Sequence, residues 1–117
     1  MGTSPELAVR RALHAAGFRY RIGYPVPTLP RRTIDIAFPK QRVAIFIDGC
    51  FWHACPAHYV TPKHNRDWWE EKINRNVGRD RETDVVLQET GWTVLRFWEH
   101  DPTEFIVSKA AASIRPE

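Results

Sequence analysis

The sequence lacks the features that would place a chain in a membrane or in a disulfide-rich secreted class. No apolar run among its 117 residues approaches the length of a membrane span. No basic start followed by an apolar stretch precedes the first predicted helix. Internal repeats and low-complexity tracts are missing, and there are only two cysteines. We therefore expect a cytoplasmic protein that makes no contact with a membrane.

Size and composition indicate one globular domain with a mildly basic surface. The chain is 43% hydrophobic and 26% charged, which is ordinary for a globular protein. A single domain over residues 1–117 buries one core, and a bound metal would help to stabilise it. The 17 Lys and Arg exceed the 14 Asp and Glu, and there are five Trp. This balance favours a polyanionic partner gripped partly by aromatic side chains.

The spacing of apolar residues predicts an α/β fold. A first helix is capped by Thr3 or Ser4 and ends at Gly17. A long polar helix is predicted from Asn65 to about Thr90, with a break near Gly78 left open. The other predicted segments are strands at 18–24, 33–38, 42–48 and 92–98, a loop at 25–32, and a helix from 101 to 114. This order predicts a mixed sheet with helices on its faces.

A compact group of soft ligands indicates a structural zinc site. Cys50, Cys55 and His58 lie within nine residues, and structural zinc usually has four such ligands. His100, just after the last predicted strand, is the best fourth candidate. His53 and His64 are the competitors. The alternative without a metal is two buried thiols and solvated histidines.

Two carboxylates on neighbouring strands indicate a site for a hard cation such as Mg²⁺. Asp35 interrupts an apolar strand and Asp48 ends the next one. A cation there would neutralise the charge of a phosphodiester, and His53 is placed to act as the base. Structural pairing of both carboxylates is an equally good interpretation. From the residues alone, Glu6 fits a capping box with Thr3 and Asp80 fits a solvated helix charge.

Aromatic and basic residues suggest contacts with nucleic acid. Phe51 and Trp52 follow Cys50 directly, where they can act as wedges between base pairs or pack in the core. Trp68 and Trp69 open the long helix. Its basic side chains can meet phosphates or form a solvated face; they are Lys72, Arg75, Arg79 and Arg81.

These residues together resemble the very-short-patch-repair (Vsr) DNA mismatch endonucleases over nearly the whole chain. The similarity includes the opening Pro5-Glu6-Leu7-x-x-Arg10 and the strand of Asp35. The remaining stretches are Asp48-Gly49-Cys50-Phe51-Trp52-His53-x-Cys55-Pro56-x-His58, Trp69-x-x-Lys72-Ile73-x-x-Asn76-Val77-x-Arg79-Asp80-Arg81, and Gly91-Trp92-x-Val94-Leu95-x-x-Trp98-Glu99.

The resemblance implies a restriction-endonuclease-like fold, with a structural zinc site, in a monomer that nicks double-stranded DNA beside a T:G mismatch. By this resemblance Asp35 binds Mg²⁺ together with the backbone carbonyl of Ile47, and His53 is the general base. Glu6, Asp80 and Asp48 support the site. The implied zinc ligands are Cys50, Cys55, His58 and His100, and the implied DNA contacts are Phe51, Trp52, Trp69, Lys72 and Asn76. Two alternatives remain: a nuclease of the same fold that cuts matched DNA in restriction or homing, and a zinc-stapled DNA-binding module without catalysis.

Overall fold

The computed structural model describes residues 4–49 and 63–114 and contains one four-stranded sheet with helices on both faces. The helices are α1 (Pro5–Ala15), α2 (Arg66–Glu89) and α3 (Thr103–Ile114). The strands are β1 (Arg21–Val26), β2 (Leu29–Phe38), β3 (Val43–Asp48) and β4 (Thr93–Trp98), in that spatial order. Strand β2 runs antiparallel to both neighbours, whereas β3 and β4 are parallel. The predicted mixed α/β sheet is therefore confirmed.

Strand β3 is the centre of the packing because its side chains alternate between two apolar cores, one on each face of the sheet, where the sequence predicted a single core. On one face, Val43 and Ile45 pack with Leu13 of α1 and Ile106 of α3. On the other face, Ala44 and Phe46 pack with Leu87 of α2 and with Trp92. Nearly every residue of β3 is buried, as predicted for a strand covered on both faces. The end of β3, at Ile47 and Asp48, thereby lies between elements packed on both faces of the sheet.

The first hairpin corrects the sequence prediction. The loop predicted at 25–32 is wrong, since β1 runs to Val26 and β2 begins at Leu29, with only a two-residue turn between them. Thr28 makes this turn possible by adopting a positive φ of 65°. The prolines are tolerated because β1 is an edge strand and the first part of β2 pairs only with β1.

The start of β1 and the ends of the helices also refine the prediction. The strand predicted from residue 18 begins at Arg21, because Phe18 instead closes α1 by donating its N–H to the carbonyl of Leu13 (3.0 Å). Helix α2 continues through Gly78 without a break. Both later helices begin and end within two residues of the predicted bounds. None of the described helices has the length and apolar character that crossing a membrane requires.

Candidate active site

Asp35 lies where strands β2 and β3 cease to pair. The last pair in their register joins Ile36 to Ile45, and Asp35 is the residue that precedes Ile36 in β2. Its Oδ2 accepts a hydrogen bond from the backbone N–H of Ile47 (2.9 Å). The family resemblance implied that the carbonyl of Ile47 binds Mg²⁺, which stays a prediction; the N–H of the same residue makes the contact with Asp35. This hydrogen bond fixes the Asp35 carboxylate beside the end of β3.

The surroundings of Asp35 disfavour its negative charge. The pKa of Asp35 is raised from 3.8 to about 6, mainly by burial and also by the nearby carboxylates of Glu6 and Asp48. The hydrogen bond from Ile47 and the charge of Arg96 act in the opposite direction. A half-buried carboxylate close to other carboxylates is the type of donor that hard divalent cations favour. The residues present therefore fit the predicted Mg²⁺ at Asp35.

Glu6 belongs to this acidic group, although the sequence left a capping box as its explanation. The capping box is wrong, because the N-cap of α1 is Ser4, whose Oγ accepts the N–H of Leu7 (3.2 Å). Glu6 instead lies near Arg10, with 3.8 Å between Oε2 and Nη1. Its charge acts on Asp35, so α1 contributes to the electrostatics of the site.

Asp48 is buried and committed to an ion pair. It is 8% exposed, and both of its carboxylate oxygens accept hydrogen bonds from Nη1 of Arg96 (3.1 and 3.0 Å). The Arg96 guanidinium also packs over the ring of Phe46, with 4.1 Å from Cζ to the ring centroid. The structural pairing that the sequence left open for Asp48 is therefore present, next to Asp35.

A cleft of about 400 Å³ lies between the sheet residues Asp35, Asp48 and Arg96 and helix α2. Asp80 lies on its wall, and its Oδ1 is 3.8 Å from Nη1 of Arg96. The bare sequence favoured a solvated charge for Asp80, whereas the structure places it in the cleft. The other lining residues include Arg32, Thr33, Asp35, Ile47, Asp48, Asn76, Arg79, Thr83 and Arg96.

Within residues 4–49 and 63–114, no three His, Cys, Asp or Glu side chains converge closely enough to form a metal site by themselves. A cation at Asp35 would therefore take its further ligands from the backbone, from water, from a bound phosphate or from residues outside these ranges. Mg²⁺ commonly keeps several waters and takes only one or two carboxylates. The arrangement around Asp35 is in keeping with that preference.

The N-terminal half of α2 presents an aromatic and basic surface beside the cleft. Trp68 is 53% exposed and meets Trp69 edge to face, with ring centroids 4.7 Å apart. Nζ of Lys72 lies 5.1 Å from the Trp68 ring centroid. A shallow pocket runs along this face and shares Asn76 with the cleft. We name Trp68, Trp69, Lys72 and Asn76 the α2 surface. The family resemblance implied DNA contacts for the last three, whereas Trp68 was noted only as an aromatic residue that opens the helix.

Much of the predicted site falls outside the described residues. This holds for the zinc ligands Cys50, Cys55 and His58, for the general base His53, and for the aromatic residues Phe51 and Trp52. His100 is described and lies in the turn after β4. The N–H of its neighbour Glu99 donates to the carbonyl of Asp48 (2.9 Å). His100 therefore lies near the end of β3. This strand ends at Asp48, which precedes Cys50 by two residues in the chain.

Sequence reasoning missed Arg96 and Arg32. Arg96 interrupts the apolar run Trp92–Trp98, and a lone cation in such a run signals a buried charge with partners. Arg32 reaches from β2 to α2, where Nη1 donates to Oγ1 of Thr83 (3.4 Å) and forms an ion pair with Glu82. Its position in a proline-rich segment gave no comparable signal.

Comparison with known proteins identifies the family. The model of the family "DNA mismatch endonuclease Vsr" matches residues 1–58. The type II nicking enzyme V.NaeI of Lentzea aerocolonigenes is 45% identical over 113 residues, which cover 92% of this chain and 66% of that enzyme. V.NmeDIP of Neisseria meningitidis serogroup C, also named a type II nicking enzyme, is 42% identical over 108 residues, covering 86% and 67%. The DNA mismatch endonuclease Vsr of Escherichia coli K12 is 37% identical over 98 residues, covering 83% and 61%.

These relatives are named type II nicking enzymes and a DNA mismatch endonuclease, and the cleft with its half-buried carboxylate is consistent with an enzyme that cleaves DNA. The chain belongs to the Vsr family. It spans about two thirds of the length of the curated relatives that it matches. The resemblance stated from the sequence is thereby confirmed.

Proposed function

We propose that the chain is a Mg²⁺-dependent endonuclease that nicks one strand of double-stranded DNA next to a T:G mismatch, as a monomer in the cytoplasm. The observation that supports it most is the position of Asp35. Its carboxylate is half-buried, has a pKa raised to about 6, and lies in a cleft beside the α2 surface. The names of the relatives, which include nicking enzymes and a mismatch endonuclease, support the same reaction.

The residues of the cleft divide the work of phosphodiester hydrolysis between them. Asp35 would hold Mg²⁺, with the carbonyl of Ile47 as a second proposed ligand. That ion, when bound, supplies positive charge to the phosphate oxygens in the transition state. His53 takes the proton of the attacking water. Glu6 and Asp80 keep the surroundings of Asp35 acidic, which strengthens its attraction for a divalent cation.

The α2 surface and the aromatic residues before it would bind the DNA. Lys72 contacts a phosphate, and Asn76, at the border of the cleft, contacts the bases or backbone there. Phe51, Trp52 and Trp69 enter the base stack. Unstacking costs least at a mismatched pair, so wedges of this kind select mismatches without a base-specific code.

The direct test is strand cleavage of two labelled duplexes that differ in one T:G pair, with and without Mg²⁺. We expect a Mg²⁺-dependent nick in the T strand of the mismatched duplex only. Equal cutting of both duplexes would replace mismatch selection by cleavage of matched DNA at a sequence. DNA binding without cutting, across several sequence contexts, would favour the non-enzymatic DNA-binding module.

We also propose that Cys50, Cys55, His58 and His100 bind one structural Zn²⁺. The support is the soft ligand set and the position of His100 close to the end of β3. Since zinc sites of this kind stabilise the fold directly, removal of the metal should lower the melting temperature. Metal analysis should find one zinc per chain, and addition of zinc to the stripped protein should restore the melting temperature. A zinc content of zero in native protein would contradict the site.

A further inference from the structure

Helix α2 is long and polar, and each of its halves contains one buried apolar residue. Three of its 24 residues are buried: Ile73, Thr83 and Leu87. Leu87 packs with Trp92 in the second core, which anchors the C-terminal end of the helix. Ile73 is the buried residue in the half that carries Lys72 and Asn76. Each half of α2 therefore has one buried apolar residue, and the polar turns between them carry Asn76 and Asp80, which line the cleft.

Arg96 supplies polar contacts to the middle of α2. Its Nε donates to both carboxylate oxygens of Asp84 (2.8 and 3.0 Å). Its Nη2 donates to the backbone carbonyl of Asp80 (3.4 Å). The same guanidinium binds both oxygens of Asp48 through Nη1. One planar cation thus joins β4, the end of β3 and two successive turns of α2.

The contacts of Arg96 are linked to Asp35 through the end of β3. Asp48 follows Ile47, whose N–H holds the Asp35 carboxylate. A displacement of the helix relative to Arg96 would therefore move the α2 surface relative to Asp35. Because a misplacement of about 1 Å can slow an enzymatic reaction by ~10²-fold, this link bears on the rate of cleavage.

We propose that Arg96 is a positioning residue. It fixes the position of helix α2 relative to Asp35, so that DNA bound on the α2 surface places its phosphate in the cleft. This rests on the proposed nuclease function. The fork of a guanidinium meets Asp48, Asp80 and Asp84 simultaneously, whereas a lysine ammonium is a single point charge. A lysine at this position would therefore supply the positive charge but could not bind all three carboxylates at once.

The variants Arg96→Met and Arg96→Lys test the proposal by separating binding from cleavage. We expect Arg96→Met to lower the single-turnover nicking rate at saturating DNA by about 10- to 100-fold, and to leave the DNA dissociation constant within about threefold. The nicking rate of Arg96→Lys should lie between that of Arg96→Met and that of the wild type. If reduced DNA binding accounts for the whole loss, Arg96 has a merely structural role and the proposal is overturned.

Arg42→Met is the matched control, because Arg42 also links the sheet to the end of α2. Its Nη1 donates to the carbonyl of Thr90 (3.4 Å), far along the helix from the cleft. We expect nicking by this variant to remain within about twofold of the wild type. Equal rates for Arg96→Met and Arg42→Met would overturn the proposal.

Asp84→Asn provides a milder change if Arg96→Met fails to fold. It weakens the same link from the helix side, and Asp84 does not line the cleft of Asp35. We expect a loss in nicking rate of about 3- to 10-fold with unchanged binding. Full activity in Asp84→Asn would overturn the proposal, since the helix side of the link would then be dispensable.

Amide hydrogen exchange tests the link without any cleavage. In Arg96→Met, residues 76–84 should lose protection relative to Arg42→Met, and equal protection would contradict the proposal. A wild-type protein that binds DNA but never nicks it would refute the proposed function alone. The exchange result would still decide whether Arg96 holds α2 in place.

Discussion

Asp35→Asn should lower the rate of nicking by about 10²–10³-fold, because a catalytic metal contributes several kcal/mol to charge stabilisation in the transition state. The amide retains one oxygen, which can still accept the N–H of Ile47. It carries no charge, however, so its attraction for a divalent cation is lost. Single-turnover nicking of the mismatched duplex at saturating DNA and Mg²⁺ measures the effect.

Asp101→Asn is the matched control for this substitution. Asp101 also accepts a backbone N–H at the end of a strand, from Trp98 (2.8 Å), but it does not line the cleft of Asp35. We expect this variant to nick at a rate close to that of the wild type. A similar loss in both variants, or full activity in Asp35→Asn, would exclude Asp35 as the metal-binding carboxylate.

The substitution Asp35→Asn should also stabilise the metal-free fold at neutral pH. Folding raises the pKa of Asp35 from 3.8 to about 6, so the folded state binds more protons than the unfolded state between these values. The contribution of Asp35 to the free energy of unfolding therefore falls as the pH rises through this range. Above pH 7, Asn should remove a penalty of about 1–2 kcal/mol, after allowance for solvent screening.

Urea unfolding in the presence of a chelator measures this difference. The gain of Asp35→Asn over the wild type should be largest near pH 8 and shrink towards zero near pH 4. A variant that is less stable than the wild type at pH 8 would show that the fold does not penalise the Asp35 charge. Opposite effects on activity and stability are typical of a site whose charged group serves function at a cost to folding.

His53→Ala should lower nicking by about 10²–10⁴-fold, the usual contribution of a general base, while DNA binding persists. The basis is the sequence: His53 follows Asp48 by five residues, and Asp48 lies beside Asp35 at the end of β3. The loss should be equal at low and saturating DNA concentrations, since a base acts in the transition state rather than in binding.

His53 is also a candidate zinc ligand, so the zinc content of the variant must be measured with its activity. Unchanged zinc together with lost nicking would identify His53 as the base. Loss of zinc, or unchanged nicking, would exclude that role. His14→Ala is a suitable control, because His14 is exposed on α1 and does not line the cleft; its nicking should match the wild type.

The sequence predicted the architecture well where one physical signal dominated. Strand β3 was identified because its apolar run is bounded by Arg42 and Asp48, and its burial on both faces was confirmed. The hairpin of β1 and β2 was missed because three prolines between residues 25 and 30 normally indicate a loop. Their tolerance depends on which strands are paired, and pairing is a tertiary property.

The candidate site was predictable by residue type more than by arrangement. Asp35 attracted attention as a charge in an apolar strand, and the structure places it in the cleft. The commitment of Asp48 to Arg96 was not foreseen, because the two residues lie 48 positions apart. Asp80 was recognised through the family resemblance alone, since a helix with many charges gives no local sign of which one faces inward.

The parallel pairing of β3 with β4 has a consequence for the order in which the protein folds. Strands β1, β2 and β3 form a meander with short connections, so their contacts are local and close at little entropic cost. Strand β4 must join Thr93 to Val43 across the whole of α2, and long loop closures of this kind are slow. We therefore expect the cleft to be completed late in folding, when β4 brings Arg96 to the acidic groups of a nascent sheet that already carries Asp35.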